Sequence, residues 1–260
     1  MSAAKRRAVF VFTGPGGRGN LPPFAAQGDD VAFYALADLH LGFAMGKPMD
    51  LFGPQWEDHP RRIAENWRRV VGENDVVLIP GDISWAMKEE QVRPDLEFIA
   101  ALPGRKVLLR GNHDYWWHAI GKVRELLPPG LAAIQNDHLV MDGVAICGTR
   151  GWNIPGAGQE GGDDPKLYAR ERGRLEISLA SAPAGRPKIA LLHFPPLITG
   201  SAEAGFTDLL ERHGVALCVY GHLHGVRDHR LGLQGERNGV RYILCAADAV
   251  DFTPVRLPDL

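Results

Sequence analysis

The segment KVLLRGNHDYWW, residues 106–117, joins a short apolar run directly to an amide, an imidazole and a carboxylate. The apolar part predicts a buried strand, because short apolar runs bounded by turn residues are typical of strands inside a sheet. Asn112, His113 and Asp114 would then stand at the carboxyl end of that strand. Such an end is either an ordinary polar turn or a group of side chains positioned for chemistry, and the rest of the sequence decides between the two.

Strand and helix patterns alternate on both sides of this segment. Residues 31–40 (VAFYALADLH) and 74–82 (NDVVLIPGD) are predicted strands, and residues 61–71 (RRIAENWRRVV) carry apolar side chains at helical spacing. Alternation of this kind is typical of parallel βαβ units.

Two further helices are expected in this half of the chain. Residues 89–102 have a helical pattern, and Pro94 is expected to limit its first turn. Residues 115–127 predict a helix that begins beside Asp114. The positive end of that helix would point at Asp114 and its neighbours, which favours an anion there.

The second half of the chain has a different pattern. Asp142-Gly143 and Asn238-Gly239 each separate two apolar runs, which predicts two hairpins. Strands are expected within residues 188–196 and 215–225. Helices are expected within residues 165–182, directly after a glycine-rich loop at residues 155–162, and within residues 204–214. The sheet content is therefore expected to be mixed, with parallel units first and hairpins later.

Composition places the chain among ordinary globular proteins. Of 260 residues, 45% are hydrophobic and 23% are charged, which fits one α/β domain. Residues 1–30 are rich in Gly and Pro without any period, so we expect a flexible leader followed by a single domain at residues 31–260. The formal net charge of −2 indicates no basic surface for nucleic acid or for an anionic membrane.

The cysteines and the apolar runs suggest a compartment. All three cysteines lie in apolar runs without paired spacing, which predicts buried free thiols in a reducing environment. No apolar run approaches the roughly 20 residues that cross a bilayer. The apolar run near Met1 is also shorter than the core of a signal peptide. We therefore expect a cytoplasmic protein.

Five predicted strands end in polar clusters. These clusters are Asp38-Leu39-His40, Gly81-Asp82, Gly111-Asn112-His113-Asp114, His193 and Gly221-His222-Leu223-His224. In open α/β sheets the ligand crevice lies outside the carboxyl ends of the strands, and right-handed crossovers bring those ends to one edge. The five clusters are therefore expected to converge.

The side chains of these clusters suit metal ions. Apart from His113 and Asp114, the set holds two carboxylates, one amide and four imidazoles, with no thiolate. Such nitrogen and oxygen ligands fit Zn, Fe, Mn or Ni, and seven of them exceed the needs of one tetrahedral ion. Two metals that share one bridging carboxylate fit better. Gly81, Gly111 and Gly221 would let the backbone approach so small a site closely.

This order of motifs resembles the calcineurin-like metallophosphoesterases, and in particular their small bacterial phosphohydrolases. Every element of the family pattern is present between Asp38 and His224. The resemblance implies a four-layer αββα sandwich with mixed sheets and a dinuclear metal centre, for which family habit suggests Mn, with Fe, Zn or Ni as alternatives. It assigns one metal to Asp38, His40 and His224. It assigns the other to Asn112, His193 and His222, with Asp82 as the bridge.

The resemblance also implies a reaction. A metal-activated hydroxide would attack the phosphorus of a phosphodiester or of a small phosphorylated metabolite. His113 would face the phosphate and be oriented by Asp114. Arg150 and Trp152 are further candidates for substrate contact, since Arg150 could hold a phosphate and Trp152 could stack on a base. A surface salt bridge for Arg150 and packing of the strand-to-helix junction for Trp152 are the interpretations that the sequence favours over these contacts.

Other activities of the superfamily fit the sequence less well. The segment GDISWAMK, from Gly81, lacks the Asp and Arg that follow Gly-Asp in the protein phosphatases. The lipid A pyrophosphatases carry Arg where this chain has His113. The short remainder after His224 and the slight acidity argue against a nuclease acting on duplex DNA. Phosphomonoester hydrolysis remains an alternative, and a non-catalytic metal-binding scaffold another, although no ligand is missing. We expect a small phosphorylated substrate and no membrane partner, and leave the oligomeric state open.

Overall fold

The computed structural model describes residues 31–47, 49–157, 164–201 and 204–260. The expected leader at residues 1–30 and most of the glycine-rich loop lie outside these ranges. The strands are β1 (Phe33–Ala35), β2 (Val76–Pro80), β3 (Arg105–Leu109), β4 (Leu131–Ala133), β5 (His138–Met141), β6 (Val144–Thr149), β7 (Lys188–Leu192), β8 (Leu217–Tyr220), β9 (Gly235–Arg237), β10 (Val240–Leu244) and β11 (Val255–Arg256). The α-helices are α1 (His59–Val70), α2 (Glu89–Ala100), α3 (Ile120–Leu126), α4 (Pro165–Ser181), α5 (Thr207–Arg212) and α6 (Gly225–His229), and 3-10 helices span Met49–Phe52 and Pro54–Trp56.

These strands form two mixed sheets, as the sequence predicts. The first sheet has the order β11-β1-β2-β3-β4, with β1 to β4 parallel and β11 antiparallel to β1. The second has the order β5-β6-β7-β8-β10-β9, in which the edge strands β5 and β9 are antiparallel to their neighbours. Both antiparallel edges are hairpins that turn at the predicted Asp142-Gly143 and Asn238-Gly239, where all four residues have positive φ.

The two sheets pack face to face, and helices cover their outer faces. Strand β2 shows this arrangement directly, since Val76 and Leu78 face the core between the sheets whereas Val77 and Ile79 face the helices. A strand buried on both faces has a continuous apolar sequence, which is the signal seen in the chain. The outer cores contain α1 and α2 on one side and α4 and α5 on the other. The expected four-layer αββα sandwich is confirmed.

Two expectations about helices need correction. Helix α2 keeps an intact first turn and runs through Pro94, which is exposed within it; the missing N–H there costs one hydrogen bond without ending the helix. Helix α3 begins at Ile120 rather than beside Asp114.

The late start of α3 has a physical cause. Trp116 and Trp117 are each 1% exposed and lie in the same core, where a buried indole N–H needs a hydrogen-bond partner. The irregular backbone lets Trp116 Nε1 donate to Asp114 Oδ1 over 3.1 Å and Trp117 Nε1 donate to Gln135 Oε1 over 2.7 Å. The helix terminus expected beside Asp114 is therefore absent from that place.

The structure also tests the predictions about the cysteines and about membrane-spanning segments. Cys147, Cys218 and Cys245 are buried free thiols, as predicted. Within the described ranges, no helix combines the length and the apolar character that a bilayer span requires.

Candidate metal centre

The polar clusters converge where the carboxyl ends of the strands of both sheets meet. Backbone hydrogen bonds join the loops that carry them: Asp38 N donates to Gly81 O over 3.0 Å, and His40 N donates to Asp82 O over 2.9 Å. Across the sheets, His193 Nδ1 lies 3.1 Å from Pro80 O, so the loop after β7 is tied to the end of β2. The structure thus brings together all the ligand candidates of the sequence.

Several of these residues have an unusual backbone conformation. Asp38, His40, Asp82 and His222 have φ between 44° and 73°, a region that residues other than glycine rarely adopt. Such strain persists where surrounding structure imposes it, and it concentrates at functional sites. Here it directs consecutive loop side chains toward one small volume.

Asp82 lies at the centre of this volume. Its Oδ2 atom is 3.4 Å from His193 Nε2, 3.8 Å from His40 Nε2 and 4.0 Å from His113 Nε2. The side chain is 1% exposed, and Oδ2 has no hydrogen-bond partner in the described part of the chain. A buried carboxylate oxygen left without a donor and faced by imidazoles from two sheets fits a ligand that bridges two metal ions.

A first group of donors lies on one side of Asp82. Asp38, His40 and His224 place one ligand atom each within 4.8 Å of one another. His40 Nε2 and His224 Nε2 are 3.3 Å apart, and His224 Nε2 is 3.9 Å from Asp38 Oδ1. One ion could be held by these three residues.

A second group lies on the other side. Asn112 Oδ1 is 2.6 Å from His193 Nε2 and 3.0 Å from His222 Nδ1. Because His193 Nδ1 can donate to the Pro80 carbonyl, its Nε2 atom is free to act as a ligand. Asp38 also approaches this group, with Oδ1 3.7 Å from His193 Nδ1.

Burial opposes charge on these ligands in the absence of a metal. It raises the pKa of Asp38 and of Asp82 and lowers the pKa of His40, His193 and His222. Neutral imidazole and ionised carboxylate are the forms that bind metals, so a bound cation would stabilise the carboxylates that burial destabilises. The donor set therefore fits two divalent cations.

Comparison with known proteins places the fold and the site in a family. A family model described as calcineurin-like phosphoesterase matches residues 31–226. The chain belongs to the calcineurin-like phosphoesterases. It is therefore a metal-dependent phosphoesterase of a family that works with a dinuclear metal centre.

Two similar proteins come from mycobacteriophages, and one similar structure comes from a mycobacterium. This phosphoesterase is 29% identical to the Gene 66 protein of Mycobacterium phage D29 over 189 residues, which cover 72% of this chain and 76% of the relative. It is 38% identical to the Gene 66 protein of Mycobacterium phage L5 over 78 residues, or 30% of this chain and 37% of the relative. The phosphopantetheinyl hydrolase of Mycobacterium tuberculosis shares the fold, with a TM-score of 0.54 and 14% identity over 88% of this chain and 96% of that one.

His113 and Asp114 have separate positions in this phosphoesterase. The His113 side chain is 36% exposed, and its ring faces the centre. Asp114 is fully buried and accepts hydrogen bonds from the backbone amides of Ile83, Ser84 and Gly111 and from Trp116 Nε1. None of the hydrogen bonds found for Asp114 among the described residues involves the His113 ring. Asp114 holds the loops after β2 and β3 together, and thereby fixes the backbone that carries His113.

Asp248 is a site residue that the sequence did not reveal. Its Oδ1 atom is 2.9 Å from His224 Nδ1, and its Oδ2 atom accepts from Gly225 N over 2.9 Å and lies 3.2 Å from His229 Nε2. Although burial alone would lower it, the hydrogen bond to Asp248 raises the pKa of His224 to about 9. Asp248 thereby orients the His224 ring, with Nε2 toward the first donor group. No motif surrounds Asp248, so no local signal could have found it.

Trp85 and Lys47 border the first donor group. The Trp85 ring stacks on His40 at 4.9 Å between centroids, lies 4.6 Å from the His113 ring, and has Lys47 Nζ 3.3 Å from its centroid. These contacts occupy the indole, which favours packing over stacking on a substrate base. Beside them lies a cavity of about 280 Å³, which is lined in part by His40, Lys47 and Trp56.

Arg150 and Trp152 border the second donor group. Arg150 O accepts hydrogen bonds from His193 N and Phe194 N, each over 3.0 Å. The Trp152 ring lies 5.3 Å from that of Phe194, which in turn lies 4.1 Å from His222. Arg150 and Trp152, which the sequence suggests as substrate contacts, therefore lie close to the metal ligands. The Phe194 ring contacts both Trp152 and His222.

Proposed function

We propose that this phosphoesterase hydrolyses a phosphodiester or another small phosphorylated metabolite at a centre of two divalent ions. The observation that carries the proposal is the position of Asp82, whose buried Oδ2 atom has no hydrogen-bond partner among the described residues and lies between donors from both sheets. Asp38, His40 and His224 would hold one ion, and Asn112, His193 and His222 would hold the other. Asp82 would be a ligand of both.

When bound, two such ions would supply a water of lowered pKa and positive charge beside the phosphoryl oxygens. Mn is the first candidate, and Fe, Zn and Ni take the same kinds of ligand. The protein's own part is to fix the donors, since the positive-φ loops and the Asp248 contact with His224 leave the ligands little freedom.

His113 acts on the substrate rather than on the metals. It is the most exposed imidazole facing Asp82, and its backbone is held by the Asp82 carboxylate and the Asp114 loop. From this position its ring hydrogen-bonds a phosphoryl oxygen or protonates the leaving oxygen. Asp114 contributes by holding the loop.

A diester is the substrate class we favour. The cavity beside His40 gives space for an organic group next to a phosphate bound at the centre, and its lining includes the 2% exposed Trp56. A phosphomonoester would use the same centre and His113, and its single organic group would occupy the same cavity. Phosphomonoester hydrolysis is therefore the second candidate.

The test is a paired assay on Mn-loaded protein. Turnover of bis(p-nitrophenyl) phosphate is compared with turnover of p-nitrophenyl phosphate in the native chain, in Asp82→Asn and in the exposed control Asp251→Asn. Faster diester cleavage that only Asp82→Asn abolishes is the expected result. Faster monoester cleavage would replace the diester assignment, and absence of both activities from protein that holds two ions would overturn the proposal.

A further inference from the structure

Two arginines near the second donor group, Arg110 and Arg150, come from the carboxyl ends of strands. Arg150 follows β6 in one sheet and Arg110 follows β3 in the other. Arg110 is two residues before Asn112, and the Arg150 carbonyl is bonded to the backbone of His193. The backbones of both arginines are thus anchored next to metal-ligand candidates.

Neither guanidinium has a carboxylate partner within the ranges that the structure describes. Arg110 Nε is buried without a hydrogen-bond partner there, and the Arg150 guanidinium lies over the Trp152 ring at 4.7 Å. Arg110, Arg170 and Arg174 are near enough to Arg150 to interact with its charge, as is the carboxylate of Glu171.

Among the described residues, the carboxylate that acts on the charge of Arg150 is Glu171, and it is already bonded. Glu171 is fully buried, accepts a hydrogen bond from Thr149 Oγ1 over 2.6 Å, and pairs with Arg174 at 2.5 Å. Within the described ranges, positive charge therefore exceeds negative charge around Arg150. Such an arrangement is costly unless an anion compensates it.

The Arg150 guanidinium lies at the end of a series of ring contacts that starts at the second donor group. The Phe194 ring lies 4.1 Å from that of His222 and 5.3 Å from that of Trp152, and the Arg150 guanidinium lies 4.7 Å from the Trp152 ring. An anion bound by Arg150 would therefore be separate from a phosphate bound at the metal centre. The planar guanidinium fork matches the oxygens of a phosphate or a carboxylate.

We propose that Arg110 and Arg150 bind a second anionic group of the substrate, a phosphate or a carboxylate that lies beyond the scissile phosphoester. This inference rests on the proposed function, because it places the scissile group at the metal centre. Trp152 supports the Arg150 guanidinium from one side and leaves its fork available to the anion.

Matched inhibitors test the proposal. Alkane bisphosphonates with three to six carbons between the phosphonates are compared with alkyl monophosphonates of the same length, against bis(p-nitrophenyl) phosphate hydrolysis in excess Mn. We expect at least one bisphosphonate to inhibit the native enzyme about ten-fold more strongly than its monophosphonate. The ratio should fall toward one in Arg150→Gln and Arg110→Gln and persist in Arg212→Gln, a surface arginine on α5.

Two further measurements keep the test decisive. Arg150→Lys keeps the charge and loses the fork, so an intermediate ratio is expected. In the native enzyme, ω-aminoalkylphosphonates should inhibit more weakly than alkylphosphonates, because their ammonium group meets the arginines. Equal inhibition by mono- and bisphosphonates, ratios unchanged in both glutamine variants, or stronger binding of the aminoalkylphosphonates would each overturn the proposal.

Failure of the proposed function would be recognisable separately. If the Mn-loaded protein cleaved no phosphoester, the same compounds would be titrated into it by calorimetry. A bisphosphonate preference that disappears in Arg150→Gln would support the anion site without the reaction, whereas equal affinities would reject the site itself.

Discussion

The backbone amide of His113 donates a hydrogen bond to Asp82 Oδ1 over 2.8 Å, while the other oxygen of Asp82 lies 4.0 Å from the His113 ring atom Nε2. One carboxylate therefore fixes the loop of the proposed catalytic histidine and stands at the centre of the proposed metal ligands. Metal binding and the position of His113 are coupled through this residue, and the two can be separated by substitution.

Replacing His113 should remove activity and leave the metals. His113→Ala is expected to keep two ions per chain and to lower kcat for bis(p-nitrophenyl) phosphate by roughly 10²–10⁴-fold, because the ring acts on the substrate. Metal content is measured by mass spectrometry of the dialysed protein. The exposed His118→Ala is the matched control, and a loss of bound metal from His113→Ala alone would make His113 a ligand.

Replacing Asp82 should have opposite effects with and without metal. Burial raises the pKa of this carboxyl, so above about pH 4 the unfolded chain loses its proton more readily than the folded chain, and the metal-free protein loses stability as pH rises. Metal-free Asp82→Asn should therefore be more stable than the metal-free native chain at pH 7. Added Mn should raise the melting temperature of the native chain and leave that of Asp82→Asn nearly unchanged. Equal metal-induced shifts in both proteins would remove Asp82 from the ligand set.

Asp248 should affect metal affinity through His224. Asp248→Asn weakens the contact that orients the His224 ring, and such changes typically cost 10–100-fold in metal affinity. Competition with a chromogenic chelator measures the change directly. Asp251→Asn, which alters an exposed carboxylate paired with Arg62, is the control. If Asp248→Asn leaves metal affinity unchanged, Asp248 only stabilises α6 through its contacts with Gly225 and His229.

Substitutions at two glycines should have opposite effects on stability, because Gly221 is closely packed against Asp38 and Gly173 lies in a helix with open space around it. A Cβ at Gly221 would clash with Asp38 Oδ2 and meet Ala37 Cβ at 2.6 Å, so Gly221→Ala should displace Asp38, weaken metal binding and destabilise the fold by about 1–3 kcal/mol. Gly173 in α4 has nothing within 4 Å of the added Cβ, so Gly173→Ala should stabilise by about 0.5–1 kcal/mol. Thermal unfolding and metal titration of both variants check the pair, and equal behaviour would contradict the geometry.

Lys106 should make the free energy of unfolding rise between about pH 8 and pH 10.5. This lysine in β3 is 1% exposed, donates to the Leu102 carbonyl, and has its pKa lowered by burial from 10.5 to about 8. Between these values the unfolded chain carries the proton and the folded chain does not, so stability rises with pH. Lys106→Met lacks this rise. Between pH 8 and 10.5 the native chain should therefore gain up to about 3 kcal/mol of unfolding free energy relative to Lys106→Met. Exposed Lys122→Met is the control in urea unfolding, and a pH-independent difference would contradict burial of the charge.

The sequence predicted the parts of the fold that depend on local patterns. Continuous apolar runs marked β2 and β3 because both faces of those strands are buried, and Asp142-Gly143 marked a hairpin because both residues accept positive φ. The glycines beside the ligand candidates were predicted to allow close approach, which is confirmed: a Cβ on Gly81 would meet His193 Nδ1 at 2.6 Å, and one on Gly111 would meet Asp82 Cγ at 2.8 Å.

The tertiary structure decided what depends on partners distant in the chain. Helix α3 begins late where the indole N–H groups of two buried tryptophans bond Asp114 and Gln135, which no helical period reveals. Asp248 orients His224 from 24 residues away, and Arg110 reaches the neighbourhood of Arg150 from the other sheet. The order of ligands follows from strand ends and could be read from the sequence by itself. Which side chains support or surround those ligands is set by how the two sheets pack, and packing between elements leaves no periodic signal in the chain.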